Sequence, residues 1–158
     1  MAFSIRTGLV RQPMNVSDLE SLLLAEGCTK ESYAIGSRGT ASDAFCLLLN
    51  DRMWEVFYTE RGVDSQPIFS SKSESEACDF FHKHILSLPH WHPVGWFTSE
   101  ADAIELENRI RSLGIQPIRN DIPSYRWAGD KRYRIFVMGK DIFPVRKAIP
   151  EAPIRKEL

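Results

Sequence analysis

The sequence predicts an α+β fold: an antiparallel β-sheet meander with about three helices packed on it, in a single compact domain. Three observations predict it. Residues 45–49 (FCLLL) are a continuous apolar run, and residues 53–59 (MWEVFYT) are rich in aromatic and β-branched types. The two read as strands around a tight turn at Asn50-Asp51, since both residues tolerate the left-handed backbone of a hairpin loop. Ser73 with Glu76 three residues on has the form of a capping box, and Ala77, Phe81, Ile85 and Leu88 follow at helical spacing. Finally, 158 residues, 43% apolar and 26% charged, are the length and balance of one globular domain.

The elements follow in order. Residues 1–13 read as a lead-in with one edge strand at 3–5. Asn15 caps a first helix with Val16, Leu19, Leu22 and Leu23 as its stripe, ended by Gly27. Residues 31–35 are a candidate strand and 36–42 (GSRGTAS) a loop. That loop lacks the G-x-x-x-x-G-K-[ST] pattern needed to cradle phosphate, so it reads as a solvated turn. In the central hairpin, Trp54, Val56 and Tyr58 share one face, and Met53, Glu55, Phe57 and Thr59 the other. Gly62 permits a bend, and Pro67 confines a strand at 68–69 to an edge. Pro89 stops the helix of 73–88.

Residues 89–97 (PHWHPVGWF), with two prolines and a glycine, read as an irregular connection, with most of Trp91, Trp96 and Phe97 packed over the core. A third helix starts at Thr98 or Ser99, buries Ala103, Leu106, Ile110 and Leu113, and stops at Gly114. Its acidic start and basic end complement the helix dipole. Short strands are expected at 115–118, 132–138 and 142–146, the last two forming a hairpin. Tyr133, Ile135 and Val137 alternate with Arg132, Arg134 and Phe136 across the middle one. The domain thus spans 1–147, with a β-rich unit at 31–88, a smaller helix-and-hairpin unit at 98–147, and a flexible tail at 148–158.

Charge is unevenly divided. Up to Asn108 there are 8 Lys+Arg against 16 Asp+Glu; from Arg109 onward there are 12 against 5. An acidic front and a basic back steer charged partners if the fold keeps them on separate surfaces. No apolar run approaches a membrane span, and residues 1–15 lack the core of a secretory signal. With an odd number of cysteines, Cys28, Cys46 and Cys78, far apart in sequence, a reducing cytoplasmic compartment is expected. Cys46 and Cys78 read as small hydrophobes of the core, and Cys28 as a loop cysteine.

No motif carries chemistry. His82, His84, His90 and His92 invite a metal, but His82 and His84 point about 200° apart on a helix, and no cysteine or carboxylate has ligand spacing. There is no G-x-S-x-G elbow, and the carboxylate pairs Glu74/Glu76 and Glu105/Glu107 diverge on their helices. The expectation is therefore no catalytic residue, no metal and no cofactor. Residues 125–134 (YRWAGDKRYR) interleave aromatics with cations, a composition that suits unpaired bases and phosphates, although a sequence pI of 6.4 lacks the basic signature of such domains.

Trp54, Val56, Tyr58, Glu60, Arg61 and Gly62, followed by Ser73, Glu74, Glu76, Ala77, Cys78 and Phe81, make up W-x-V-x-Y-x-E-R-G and S-E-x-E-A-C-x-x-F. In this the chain resembles small bacterial immunity proteins of polymorphic toxin systems, including the contact-dependent growth inhibition type. The resemblance covers under a third of the chain. It implies a non-enzymatic cytoplasmic protein that binds and neutralises the toxic C-terminal domain of a cognate effector, often a nuclease. A cationic nuclease site calls for an acidic surface, which puts the interface at Asp51, Glu55, Glu60 and Asp64 around the central sheet. Glu74, Asp79, Glu100 and Asp102 on the helices are second candidates. The alternative is a nucleic-acid-binding module using residues 125–134.

Overall fold

The structure, a computed structural model, describes residues 12–123 and 131–156. The fold is α+β, built as two sheets that each carry two helices on one face. The chain runs α1 (Val16–Ala25), β1 (Tyr33–Ile35), β2 (Ala44–Asn50), β3 (Met53–Glu60), β4 (Val63–Asp64), β5 (Phe69–Ser71) and α2 (Glu74–Leu86). It continues through β6 (Trp91–Phe97), α3 (Glu100–Ser112), β7 (Ile118–Arg119), β8 (Tyr133–Met138), α4 (Ile142–Ala148) and β9 (Ile154–Lys156).

The first lobe is centred on the β2–β3 hairpin, in register from Ala44↔Thr59 to Asn50↔Met53. That register makes Asp51-Arg52 the two-residue loop, one residue later than the sequence predicts, and both have positive φ, 50° and 64°. β1 joins β2 in parallel, while β4 and β5 both pair antiparallel with β3. Asn15 and Ser73 cap α1 and α2, each accepting from a backbone N–H in the first turn. Leu19 and Leu23 of α1 meet Ala77, Cys78, Phe81 and Ile85 of α2 over Leu47 and Val56 of the sheet. Phe81 is fully buried, so truncation to Ala costs about 3–5 kcal/mol.

The second lobe has sheet order β7-β8-β6-β9 and a separate core of Val94, Phe97, Leu106, Ile110, Ile135, Val137, Ile142 and Val145. Here the structure corrects three expectations. The segment 89–97 is a central strand, because Pro93 falls where the ladder shifts register before Gly95, and β9 pairs with β6 only from Gly95 to Phe97. No ladder donor is therefore missed at the proline. Gly95 also lets α3 approach: a Cβ there would stand 2.5 Å from Leu106 Cδ2. Residues 142–146 lie in a helix, not a hairpin strand, since Ile142, Val145 and Ile149 are buried at helical spacing and Pro144 sits in the first turn, where no donor is needed. The tail expected to be flexible supplies β9, parallel to β6. The single meander thus becomes two mixed sheets, and the third helix becomes the third of four among the described residues. The edge strand expected at 3–5 lies outside the described residues.

The two lobes join at a hydrogen-bonded seam. His90 Nδ1 accepts from the backbone N–H of Thr29 (3.0 Å), and its Nε2–H donates to the Ile85 carbonyl (2.7 Å). His92 Nε2 donates to the Gly27 carbonyl at 2.7 Å, and the Gly139 N–H donates to the His90 carbonyl at 2.8 Å. Gly27, with φ +76°, lies so close to the 139–140 backbone that a Cβ would stand 2.4 Å from the Gly139 carbonyl carbon.

Candidate functional site

The hairpin positions the first group of carboxylates. Glu55 projects from β3 on the face away from the helices, and Asp64 follows the second tight turn, Arg61-Gly62. Both line one shallow depression of about 470 Å³, floored by Leu48 and Phe57 and closed by Ser65, Gln66 and Pro67. Asp51 stands at the hairpin tip beside Asn50, which lines the same depression. Apolar side chains border this acidic ground: Leu49, Val63 and Ile68 are 56%, 72% and 46% exposed, more than a core-facing role would leave.

The eight candidate carboxylates divide by their partners. Asp64 accepts from Thr59 Oγ1 and pairs with Arg38, both at 2.7 Å, and these bonds hold its carboxyl below the usual range. Among the described residues, Glu55 accepts a single long bond, from Asn50 Nδ2 at 3.3 Å. Glu74 is structural: its Oε1 accepts from the Val16 N–H at 2.9 Å and ties α1 to α2. Glu100 pairs with Arg119 at 2.6 Å and Asp102 with Lys156 at 3.8 Å, both inside the second lobe. Among the described residues, no cation pairs with Asp51, Glu55, Glu60 or Asp79. The structure therefore brings Glu55 and Asp64 to one depression, leaves Asp51 at the hairpin tip next to its Asn50 rim, and places Glu74, Glu100 and Asp102 elsewhere.

Divided by lobe, the charge asymmetry keeps its sign but is weaker than along the sequence, because the acidic start of α3 falls in the second lobe. Residues 12–88 hold 12 Asp+Glu against 6 Lys+Arg, and residues 89–158 hold 9 against 12. The acidic start of α3 belongs to the basic lobe, where Arg119 gathers Glu100, Glu107 and Asp121. Hydrogen bonds from Arg119 to Asp121 and Glu100 strengthen its hold on its proton. Sequence reading missed this hub, because a lone arginine after a short strand carries no pattern.

The histidines have other work. His90 and His92 are buried in the seam, while His84 lies edge-on to Phe45 (4.3 Å between centroids) and stacks with Phe80. Among the described residues, no group of three His, Cys, Asp or Glu side chains could hold a metal. All three cysteines are buried; Cys28 lies in the loop after α1, as its sequence position suggests, and is packed into the first core there. Burial raises the pKa of each thiol, that of Cys78 to about 11, so none is a ready thiolate.

A second concavity lies on the open face of the second sheet. It is a groove of about 420 Å³ lined by Pro93, Gly95, Trp96, Arg134, Phe136, Pro153, Ile154 and Arg155. Of the three aromatic residues expected mostly over the core, only Phe97 is there, while Trp91, 40% exposed, and Trp96, half-buried, face this side. A period-two reading of residues 91–97 would have found them, but the prolines argued against a strand. Of residues 125–134, those up to Asp130 lie outside the described residues, while Arg134 lines the groove. No helix among the described residues is long and apolar enough to cross a membrane. Comparison with known proteins gives no match to a family model, a curated protein or a solved structure.

Proposed function

We propose that the protein works by binding, as an immunity protein that neutralises the toxic C-terminal domain of a cognate bacterial effector, with a cationic nuclease as the target its charge suits. The observation that carries this reading is the depression on the first sheet. It sets Leu48 and Phe57 beside Glu55 and Asp64, with Asp51 at the adjoining hairpin tip and Leu49, Val63 and Ile68 exposed. An apolar centre with a charged rim is the anatomy of a protein interface, and the acidic rim raises the rate of encounter with a basic surface. Among the described residues no cation pairs with Asp51, Glu55 or Glu60, which suits them to a partner's Lys or Arg.

The test is co-expression with the product of the gene directly upstream. A stable complex and rescued growth support the reading, and the absence of both defeats it. Within such a complex, Glu55→Lys is expected to slow association about tenfold or more at low salt, with the difference closing as salt rises.

A further inference from the structure

We propose that the open face of the second sheet binds single-stranded nucleic acid. The face is assembled by three neighbouring strands. β6 supplies Trp91, Pro93 and Trp96, β8 supplies Arg134 and Phe136, and β9 supplies Arg155. Register sets Pro93 opposite Phe136, and Trp96 opposite both Arg134 and Arg155. Trp91 and Phe136 lie 5.6 Å apart between centroids. The Arg134 guanidinium is 5.7 Å from the Trp96 ring and 5.4 Å from that of Phe136, and Arg155 is 5.1 Å from Trp96.

Two features specify the occupant. The first is charge. Among the described residues, Arg109, Arg111 and Arg119 of this lobe each have a carboxylate partner, but none pairs with Arg134 or Arg155. Arg134 donates to the neutral Asn120 backbone oxygen (3.0 Å) and Oδ1 (2.9 Å), so its partners among the described residues carry no charge. An anionic ligand supplies what the fold omits.

The second feature is the flat, apolar lining. Aromatic rings and guanidinium planes are the stacking partners of unpaired bases, and bases reach them only when they are not already paired in a duplex. Trp96 Nε1–H is buried without an acceptor. The exposed Arg155 side chain can swing aside and admit a phosphate or base oxygen to it. An acidic peptide would bring charge but no planes to lay against Trp91 and Phe136. The site is on the opposite lobe from the acidic depression and does not depend on the immunity reading.

The experiment is fluorescence anisotropy of a labelled oligouridylate titrated with the full chain over a range of salt concentrations. Wild-type protein is expected to bind with affinity that falls as salt rises. Arg155→Gln should weaken binding and lower the slope of log K against log salt by about one. Phe136→Leu should weaken it about tenfold, and Lys72→Gln, a cation on the other lobe, should change nothing. Circular dichroism establishes that each variant is folded, and Arg155 is exposed, so its variant tests the charge without unfolding the sheet. No binding by the wild type at low salt would overturn the proposal, as would an unchanged slope for Arg155→Gln. Competition by polyglutamate at equal affinity would also overturn it, in favour of an acidic protein segment.

Discussion

Asp64 is the most heavily partnered carboxylate of the acidic depression, and its role is testable by pH. Hydrogen bonding from Thr59 and pairing with Arg38 lower its folded pKa. A carboxylate with a depressed folded pKa adds stability above its unfolded value, about 4, and that stability is lost as pH falls through the lower folded value. Asp64→Asn should therefore lower the urea midpoint at neutral pH, and the gap from wild type should close as acid protonates Asp64. A gap that stays constant with pH would contradict this. Glu55, by contrast, has among the described residues a single 3.3 Å bond, from Asn50, so Glu55→Gln should leave the urea midpoint within about 0.5 kcal/mol of wild type. Gly27 marks the opposite extreme. With φ +76° and the Gly139–Lys140 backbone in its way, Gly27→Ala should destabilise by about 1–3 kcal/mol, read as a lower denaturation midpoint.

At the scale of elements, the first lobe was largely legible. Asn15 and Ser73 cap where their side chains said they would, and the stripe Ala77, Phe81, Ile85 is buried as its spacing required. Ser73→Ala should cost about 1 kcal/mol, seen as a shifted urea midpoint with unchanged slope. The second lobe was less legible because breaker residues were weighed above periodicity. Pro93 coincides with a register shift and Pro144 with a helix start, and in neither place does the missing N–H matter. β9 could not be foreseen locally, since Ile154–Lys156 has no strand pattern and is extended only by pairing with β6. The acidic depression was half legible. Alternation grouped Glu55 with Phe57 on one face of β3, but the approach of Asp64 depends on the turn at Arg61-Gly62 and on Arg38 from the loop after β1. The groove was missed with β6 itself, although the Arg134/Phe136 face was read correctly.

For the whole molecule, the question is how two lobes with separate cores behave as one body. The seam is made by His90, His92 and Gly27, and by the ion pair Lys140–Glu26 at 3.0 Å. His90→Ala would leave the Thr29 N–H unpaired and remove the 2.7 Å donor from the Ile85 carbonyl, which keeps only the Leu88 and Ser87 N–H groups, at a cost of about 1–3 kcal/mol. Amide exchange should then rise at Thr29 and Gly139, while the amides of Phe81 and Ile135 in the two cores stay protected. Equal loss of protection everywhere would mean that the lobes have no independent stability. The seam holds a first lobe with 12 Asp+Glu against 6 Lys+Arg beside a second with 9 against 12, so the two lobes differ in the sign of their net charge.

The central claim is that the acidic depression of the first lobe is where a basic toxin domain docks. Its most direct test is the association rate of the purified protein with the domain encoded upstream, measured for wild type and for Asp51→Lys/Glu55→Lys across a salt series. The account predicts a fast, salt-sensitive rate that falls at least about tenfold in the doubly reversed variant, with the fold intact. An association rate that is the same for both proteins at every salt concentration would contradict it.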